Sequence, residues 1–445
     1  MSKKQIQLSD HFNFIKLFRF TIPSIIMMIF TSVYGVVDGL FVSNFVGKTE
    51  FAAVNFIMPF IMILGTFGFM FGTGGSALVS KIMGEGDKER ANKIFSLILY
   101  TSLGFGAVIA ILGVVFTRPV AIFLGAEGQM LEECVKYGRI VLIAIPAYML
   151  QYEFQSFMIA AEKPKLGLVT TLVAGFTNMI LDALLVAVIH LGVAGAAIAT
   201  ALSACVGGVV PLIYFSRKNS SLLKLGKAEF DGKALLKTCS NGSSELMSNI
   251  SMSLVGMIYN FQLMKYAGEN GVAAYGVMLY INMIFIAVFI GYSVGIAPVV
   301  SFHYGASNHS ELRNLRRKSL AVISISSVLM ALTSIFLARP LSHIFVGYDE
   351  VLLNMTVRGF IIYSFSFLFS GIAIFGSCFF TALNDGLTSA IVSFLRTLVF
   401  QIAALMLLPL IFELDGIWYS IVVAELMAAL VTVIFLVGKR KRYKY

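Results

Sequence analysis

The chain has 445 residues, of which 58% are hydrophobic and only 13% charged, with a mean hydropathy of +0.88 and a formal charge of +10. Soluble domains carry about 25% charged residues, so this composition excludes a soluble globular fold and implies an all-α, polytopic membrane protein whose core forms in lipid. It has no P-loop and no HExxH sequence, and none of Cys134, Cys205, Cys239 and Cys378 forms a CxxC pair. ATP-driven transport, structural zinc and structural disulfides are therefore not expected.

Twelve apolar runs are long enough to span a bilayer. In chain order they cover roughly 20–42, 51–80, 94–117, 139–161, 166–189, 192–215, 238–264, 271–302, 319–338, 357–382, 387–412 and 416–438. The first 19 residues are polar and basic and carry no sign of a cleaved signal peptide. The chain thus divides into an N-terminal segment (1–19), a first half (20–216), a basic linker (217–237), a second half (238–438) and a basic tail (439–445).

The two halves are copies. Residues 47–165 realign with 268–386 at a constant offset of 221: Gly47, Ala52, Ala53, Gly74, Val79, Ser80 and Gly84 recur as Gly268, Ala273, Ala274, Gly295, Val300, Ser301 and Gly305. Arg118-Pro119 pairs with Arg339-Pro340, and Gly138 with Gly359. Two like halves around a central path is how many secondary transporters are built.

Lys and Arg sort between alternate loops. With both termini on one side, that side holds 25 of the 33. Positive charge stays cytoplasmic, which places both termini in the cytoplasm and the protein in the plasma (inner) membrane as a multi-pass protein. The same sorting explains the charge of +10 without nucleic acid, and the linker is positioned to touch anionic lipid. All five histidines (His11, His190, His303, His309, His343) fall at or beyond the ends of apolar runs, so no helix face offers a pair for haem or metal.

Five of the 23 acidic residues lie inside spans: Asp38, Glu153, Asp182, Glu245 and Glu425. A buried ionisable group costs roughly 2.5–3.5 kcal/mol on insertion scales and usually faces a functional interior. At 1.5 Å per residue, Asp38 and Asp182 stand roughly 28 Å and 26 Å above the inner ends of helices 1 and 5. Asn178 precedes Asp182 by one turn on the same face. Gln151 of helix 4 and Thr200 and Ser203 of helix 6 lie at nearby heights. Such a set of oxygens suits a hard cation such as Na⁺. The same two carboxylates, if close, could instead share one proton. The bland reading is that each merely bonds a neighbouring helix. Glu245, about 12 Å into helix 7, either meets a cation or packs. Glu153 is more simply structural, and Glu425 is read as pairing with Arg396. Pro23, below Asp38, is either a hinge or a static kink.

The stretch Pro23-Ser24-Ile25 … Tyr34-Gly35-Val36-Val37-Asp38 … Phe41-Val42, followed by Gly47 and Ala52-Ala53-Val54-Asn55, resembles the multidrug and toxic compound extrusion (MATE) family. The Gly72–Gly75 run and Gly84-Glu85-Gly86-Asp87 fit it as well. The resemblance implies twelve transmembrane helices in two six-helix lobes, related by a pseudo-two-fold axis along the membrane normal, with a cavity between. It implies an antiporter that exports bulky, often cationic amphipathic drugs against H⁺ or Na⁺, with no other cofactor. Asp38, Asn178 and Asp182 match the first-lobe cation motif, Thr200 its supporting hydroxyl and Pro23 its kink residue. Gln151 stands where asparagine is usual. Glu245 matches a helix 7 glutamate of other members, but helix 10 lacks the acid that would complete that site. A flippase for a lipid-linked saccharide is the alternative; it would need several cavity cations, and only Arg396 lies inside a span. One chain holds both lobes, so a monomer is expected.

Overall fold

The computed structural model describes residues 6–445; residues 1–5 of the N-terminal segment lie outside the described residues. Six helices form the first lobe: α1 (Phe14–Phe45), α2 (Lys48–Gly84), α3 (Lys88–Leu124), α4 (Gly128–Ile143 continued by Ile145–Ala160), α5 (Pro164–Val188) and α6 (Gly192–Ser216). A single helical stretch, Gly232–Gly305, then runs for 74 residues. At 1.5 Å per residue that is about 111 Å, far more than a bilayer. It is two spans, α7 (232–267) and α8 (269–305), broken at Gly268, whose φ of 62° and ψ of −152° are not helical. Gly47 takes positive φ (125°) at the same point of the first copy, between α1 and α2. Glycine tolerates that conformation without a Cβ clash, so both copies turn on the same residue.

The second lobe continues with α9 (His309–Val346), α10 (Glu350–Ser364 and Phe367–Ala382, bent by 50°), α11 (Gly386–Leu407) and α12 (Pro409–Gly438). Twelve spans are therefore present among the described residues, as the apolar runs imply, although most helices outlast their apolar runs. The extra turns are capped by polar side chains. Asn13 accepts from the Lys16 N–H, Asp87 from Arg90, Asp231 from Ala234 and Asn308 from Glu311, each satisfying an orphan amide of the first turn.

α1 and α2 of the first lobe lie against α7 and α8 of the second, and their backbones approach closely in the half nearest the termini. A methyl group added at Gly84 would strike the Phe302 carbonyl, and one added at Gly305 the Lys81 carbonyl. Lys81 and Phe302 are themselves 221 apart, so this is one contact made twice by the duplication. Gly291 of α8 meets the backbone of Ser24 and Ile25 in the same way. The lobes are thus sealed at the terminus face.

Two extended segments cross that seal. Residues 6–13 leave α1 and lie across both lobes. The Leu8 N–H donates to Glu162 Oε1 at 2.6 Å, and the Phe12 N–H to Glu311 Oε1 at 2.9 Å. Asn314 and Lys318 donate to the Phe12 carbonyl at 3.0 and 2.7 Å. The linker, irregular over 217–231, is tied back to α3: the Lys224 N–H donates to Asn92 Oδ1 at 2.7 Å and the Gly226 N–H to Ser96 Oγ at 3.0 Å.

Candidate functional site

The first lobe brings Asp38 of α1 beside Asn178 and Asp182 of α5, close enough for the three side chains to interact. Asp182 is completely buried and Asn178 nearly so. Asp182 closes the regular part of α5; the next six residues, Ala183–Val188, form a π-helical turn, a local defect often found at functional sites. Tyr34, one turn before Asp38, turns toward the same point and reaches Gln151 of α4. Tyr137, also of α4, faces both acids and reaches Thr200 of α6. All five residues expected to form this site therefore belong to one neighbourhood, Gln151 and Thr200 through tyrosines. Tyr137 escaped the sequence reading, and Tyr34 entered it only as part of the family-like stretch, because aromatic residues are so common in a lipid-facing chain that two more carry no signal of their own.

The decisive feature is what these oxygens lack. Asp38 Oδ1, both oxygens of Asp182, Asn178 Oδ1 and Thr200 Oγ1 are buried without a well-formed hydrogen bond among the described residues. Buried polar atoms are paired in over 90% of cases, and two adjacent carboxylates repel one another. Five acceptor-capable oxygens around two acids are the complement of a small cation: a hard metal ion takes oxygen ligands, and a proton can be held between two carboxyls.

Beyond the acids an aromatic wall continues from Tyr34. Tyr152 OH donates to Tyr148 OH at 2.7 Å, and the Tyr152 ring stacks on Phe69 at 3.9 Å. Glu153 is two residues from Gln151 but faces the other way, as residues two apart on a helix do. It is fully buried beside Ser102 of α3 and the Gly72 backbone, and neither carboxyl oxygen makes a well-formed hydrogen bond among the described residues.

The second lobe holds a cavity of about 260 Å³, lined by Glu245, Asn249, Tyr259, Arg396, Gln401 and Glu425 among others. Arg396 sits in another π-helical turn, Leu395–Val399. Its Nε donates to both oxygens of Glu425, at 3.0 and 2.9 Å, so the expected pair exists. Glu245 lies in this cavity, remote from the first-lobe acids, with Arg396 as its compensating charge. α1 runs through Pro23 with no break in its helical geometry. His303, placed by its sequence position at a span end, is buried beneath the N-terminal segment. Gly291-Tyr292-Ser293-Val294-Gly295 spells a GxSxG, so the expectation that the chain has no such motif is corrected. It lies in mid-helix rather than on a strand-to-helix turn, so it makes no nucleophile elbow.

Residues 23–184 and 246–407 each match the MatE family. The chain belongs to the MatE family. The two matched stretches are the two copies found by the internal offset. The multidrug export protein MepA of Staphylococcus haemolyticus is 27% identical over 430 residues, 95% of this chain and 93% of the relative. MepA of Staphylococcus aureus strain MRSA252 is 23% identical over 431 residues, with the same coverage. Among solved structures, a MATE protein in complex with MaL6 superposes with a TM-score of 0.94 at 22% identity, covering both chains in full. A MOP superfamily transporter from Pyrococcus furiosus gives 0.92 at 22%, also in full. These likenesses bear out the architecture: a MatE membrane protein of twelve helices in two lobes.

Proposed function

We propose that this MatE protein is a multidrug exporter driven by H⁺ or Na⁺, with its coupling site at Asp38, Asn178 and Asp182. The observation that carries this reading is the set of five buried oxygens, at and around two acids, that lack a well-formed hydrogen bond among the described residues. In the proposal a cation or proton entering that site relieves the repulsion between the carboxyls. Coupling then requires that the cation and the drug each prefer a different access state. The state sealed at the terminus face is one of the two. Gln151 and Thr200 support the site through Tyr34 and Tyr137, and Pro23 gives α1 a point below Asp38 at which to bend. Glu245 is held in reserve as a second-lobe acid. The MepA relatives are named multidrug export proteins, which supports drugs as the substrates; the further reading that these are bulky, often cationic amphipaths is supported by the aromatic wall beside Asp38, which suits flat cations. The protein acts as a monomer in the plasma membrane with both termini cytoplasmic, and has no enzymatic chemistry.

The lipid-linked saccharide flippase gains no support. Such a substrate calls for unpaired cations in the cavity, and Arg396 is neutralised by Glu425. The test is transport of an ethidium-like dye by the purified protein in liposomes, first under a pH gradient and then under a Na⁺ gradient. The gradient that drives uptake names the ion; absence of movement under both sinks the proposal.

A further inference from the structure

At the terminus face of the second lobe the tail folds back on the protein. After α12, residues Arg440–Tyr443 make one helical turn, and Lys444 adopts left-handed geometry (φ 55°). Two tyrosines turn inward. Tyr443 OH donates to Asp385 Oδ2 at 2.8 Å, and Tyr445 OH to the Leu436 carbonyl at 3.0 Å. Tyr445 also packs edge-on against Phe379, with ring centres 5.1 Å apart. The basic residues around them point outward: Arg440, Lys441, Arg442 and Lys444 are all exposed.

This fold crowds like charges. Arg316 of α9 lies over the Tyr445 ring at 5.2 Å, and Arg440 is near enough to oppose its charge. Arg442 likewise stands near Lys237 of α7, as does Lys81 of α2. The acids at hand are already engaged: Asp385 accepts from Lys439 at 2.7 Å, and Glu85 pairs with Lys81 at 3.2 Å. Arg316 Nε is buried and has no acceptor among the described residues. The linker differs, since Glu229 and Asp231 pair with Lys93 and Arg90. An uncompensated guanidinium group with an idle donor fits a phosphate oxygen, and the patch begins where α12 leaves its apolar span.

We propose that Arg316, Arg440 and Arg442, held in place by the folded-back Tyr443–Tyr445 tail, form a site for the phosphate of an anionic phospholipid headgroup in the adjoining leaflet. Basic pockets at helix ends on one membrane face are where such headgroups bind. The site lies apart from the proposed coupling acids and does not depend on them.

The test uses the full chain in nanodiscs of phosphatidylcholine, with or without phosphatidylglycerol. It compares wild type, R316Q/R440Q, the exposed single variant R440Q, and R339Q as a control among the charges of the opposite face. Melting temperature is read alongside bound phosphatidylglycerol by native mass spectrometry. Wild type and R339Q should be stabilised by phosphatidylglycerol. R316Q/R440Q, whatever its own melting temperature in phosphatidylcholine, should lose that gain and bind phosphatidylglycerol about thirtyfold more weakly, with R440Q in between. An equal gain in all four proteins would overturn the site. Inorganic phosphate reproducing the gain in pure phosphatidylcholine would overturn the lipid assignment.

Discussion

Gly291 faces the α1 backbone across the seal between the lobes. A Cβ there would stand 2.6 Å from Ile25 Cα and 2.8 Å from the Ser24 carbonyl oxygen. Non-bonded carbons settle at about 3.5–4.0 Å, so Gly291→Ala must part α1 and α8 by about 1 Å. Both obstacles are backbone, so no side chain can rotate away. Over-packing of this kind costs about 1–3 kcal/mol. Only the sealed arrangement bears that cost, because lobes that separate at the terminus face no longer bring Gly291 against α1. The substitution should therefore shift the balance toward the unsealed state by about fivefold to 150-fold. Spin labels at Glu89→Cys on α3 and Arg313→Cys on α9, in a background without the four native cysteines, report that separation by pulsed EPR. Gly276→Ala in the same helix is the control, since its Cβ would meet nothing within 4 Å. An unchanged distance distribution in Gly291→Ala would refute the reasoning that backbone contact at this point holds the seal.

Three further outcomes are expected. Glu425→Leu removes the acid that accepts both Arg396 hydrogen bonds and should cost about 3 kcal/mol, whereas E245Q/R396M/E425M removes all three charges that share this cavity and should recover most of it; thermal melts in one detergent decide. Glu311→Ala removes the acceptor for the Phe12 N–H and should cost about 1–3 kcal/mol while exposing residues 6–13 to limited proteolysis; unchanged cleavage would show that this segment is held by other contacts. Burial pushes the Asp385 carboxyl up, but hydrogen bonds from Lys439, Thr388 and Tyr443 outweigh it and hold the group below the ordinary aspartate range. Its contribution is therefore fully present above about pH 4 and is lost as pH falls through the folded value. Melting temperatures of wild type and Asp385→Asn should differ at neutral pH and converge in acid; a gap that persists in acid contradicts the assignment.

Much of the architecture is legible in the chain because the duplication is written in glycines whose roles recur. Gly47 and Gly268 turn the same hairpin, and Gly84 and Gly305 make the same backbone contact. The spacing of Asn178 and Asp182 and the acid inside α1 point directly to the first-lobe site. The Arg396–Glu425 pair is readable because unpaired charges are expensive within a bilayer. Other features depend on tertiary contacts with no local pattern. Glu162 and Glu311 read as ordinary loop and helix-start acids, yet each accepts a backbone N–H from a segment about 150 or 300 residues away. His303 reads as a span end because the strap that covers it is distant in sequence. The π-helical turns after Asp182 and around Arg396 leave no compositional trace. The extra length of the helices was readable in hindsight, from Asn13 and Asp231 standing ahead of the apolar runs.

Coupling at Asp38 and Asp182 is tested most directly by gradient-driven dye transport in liposomes by wild type, Asp38→Asn and Asp182→Asn, with equilibrium dye binding measured on the same preparations. The prediction is that both variants still bind dye but no longer respond to the gradient that drives the wild type. Gradient-driven transport surviving in both variants would contradict it and move the coupling site to Glu245.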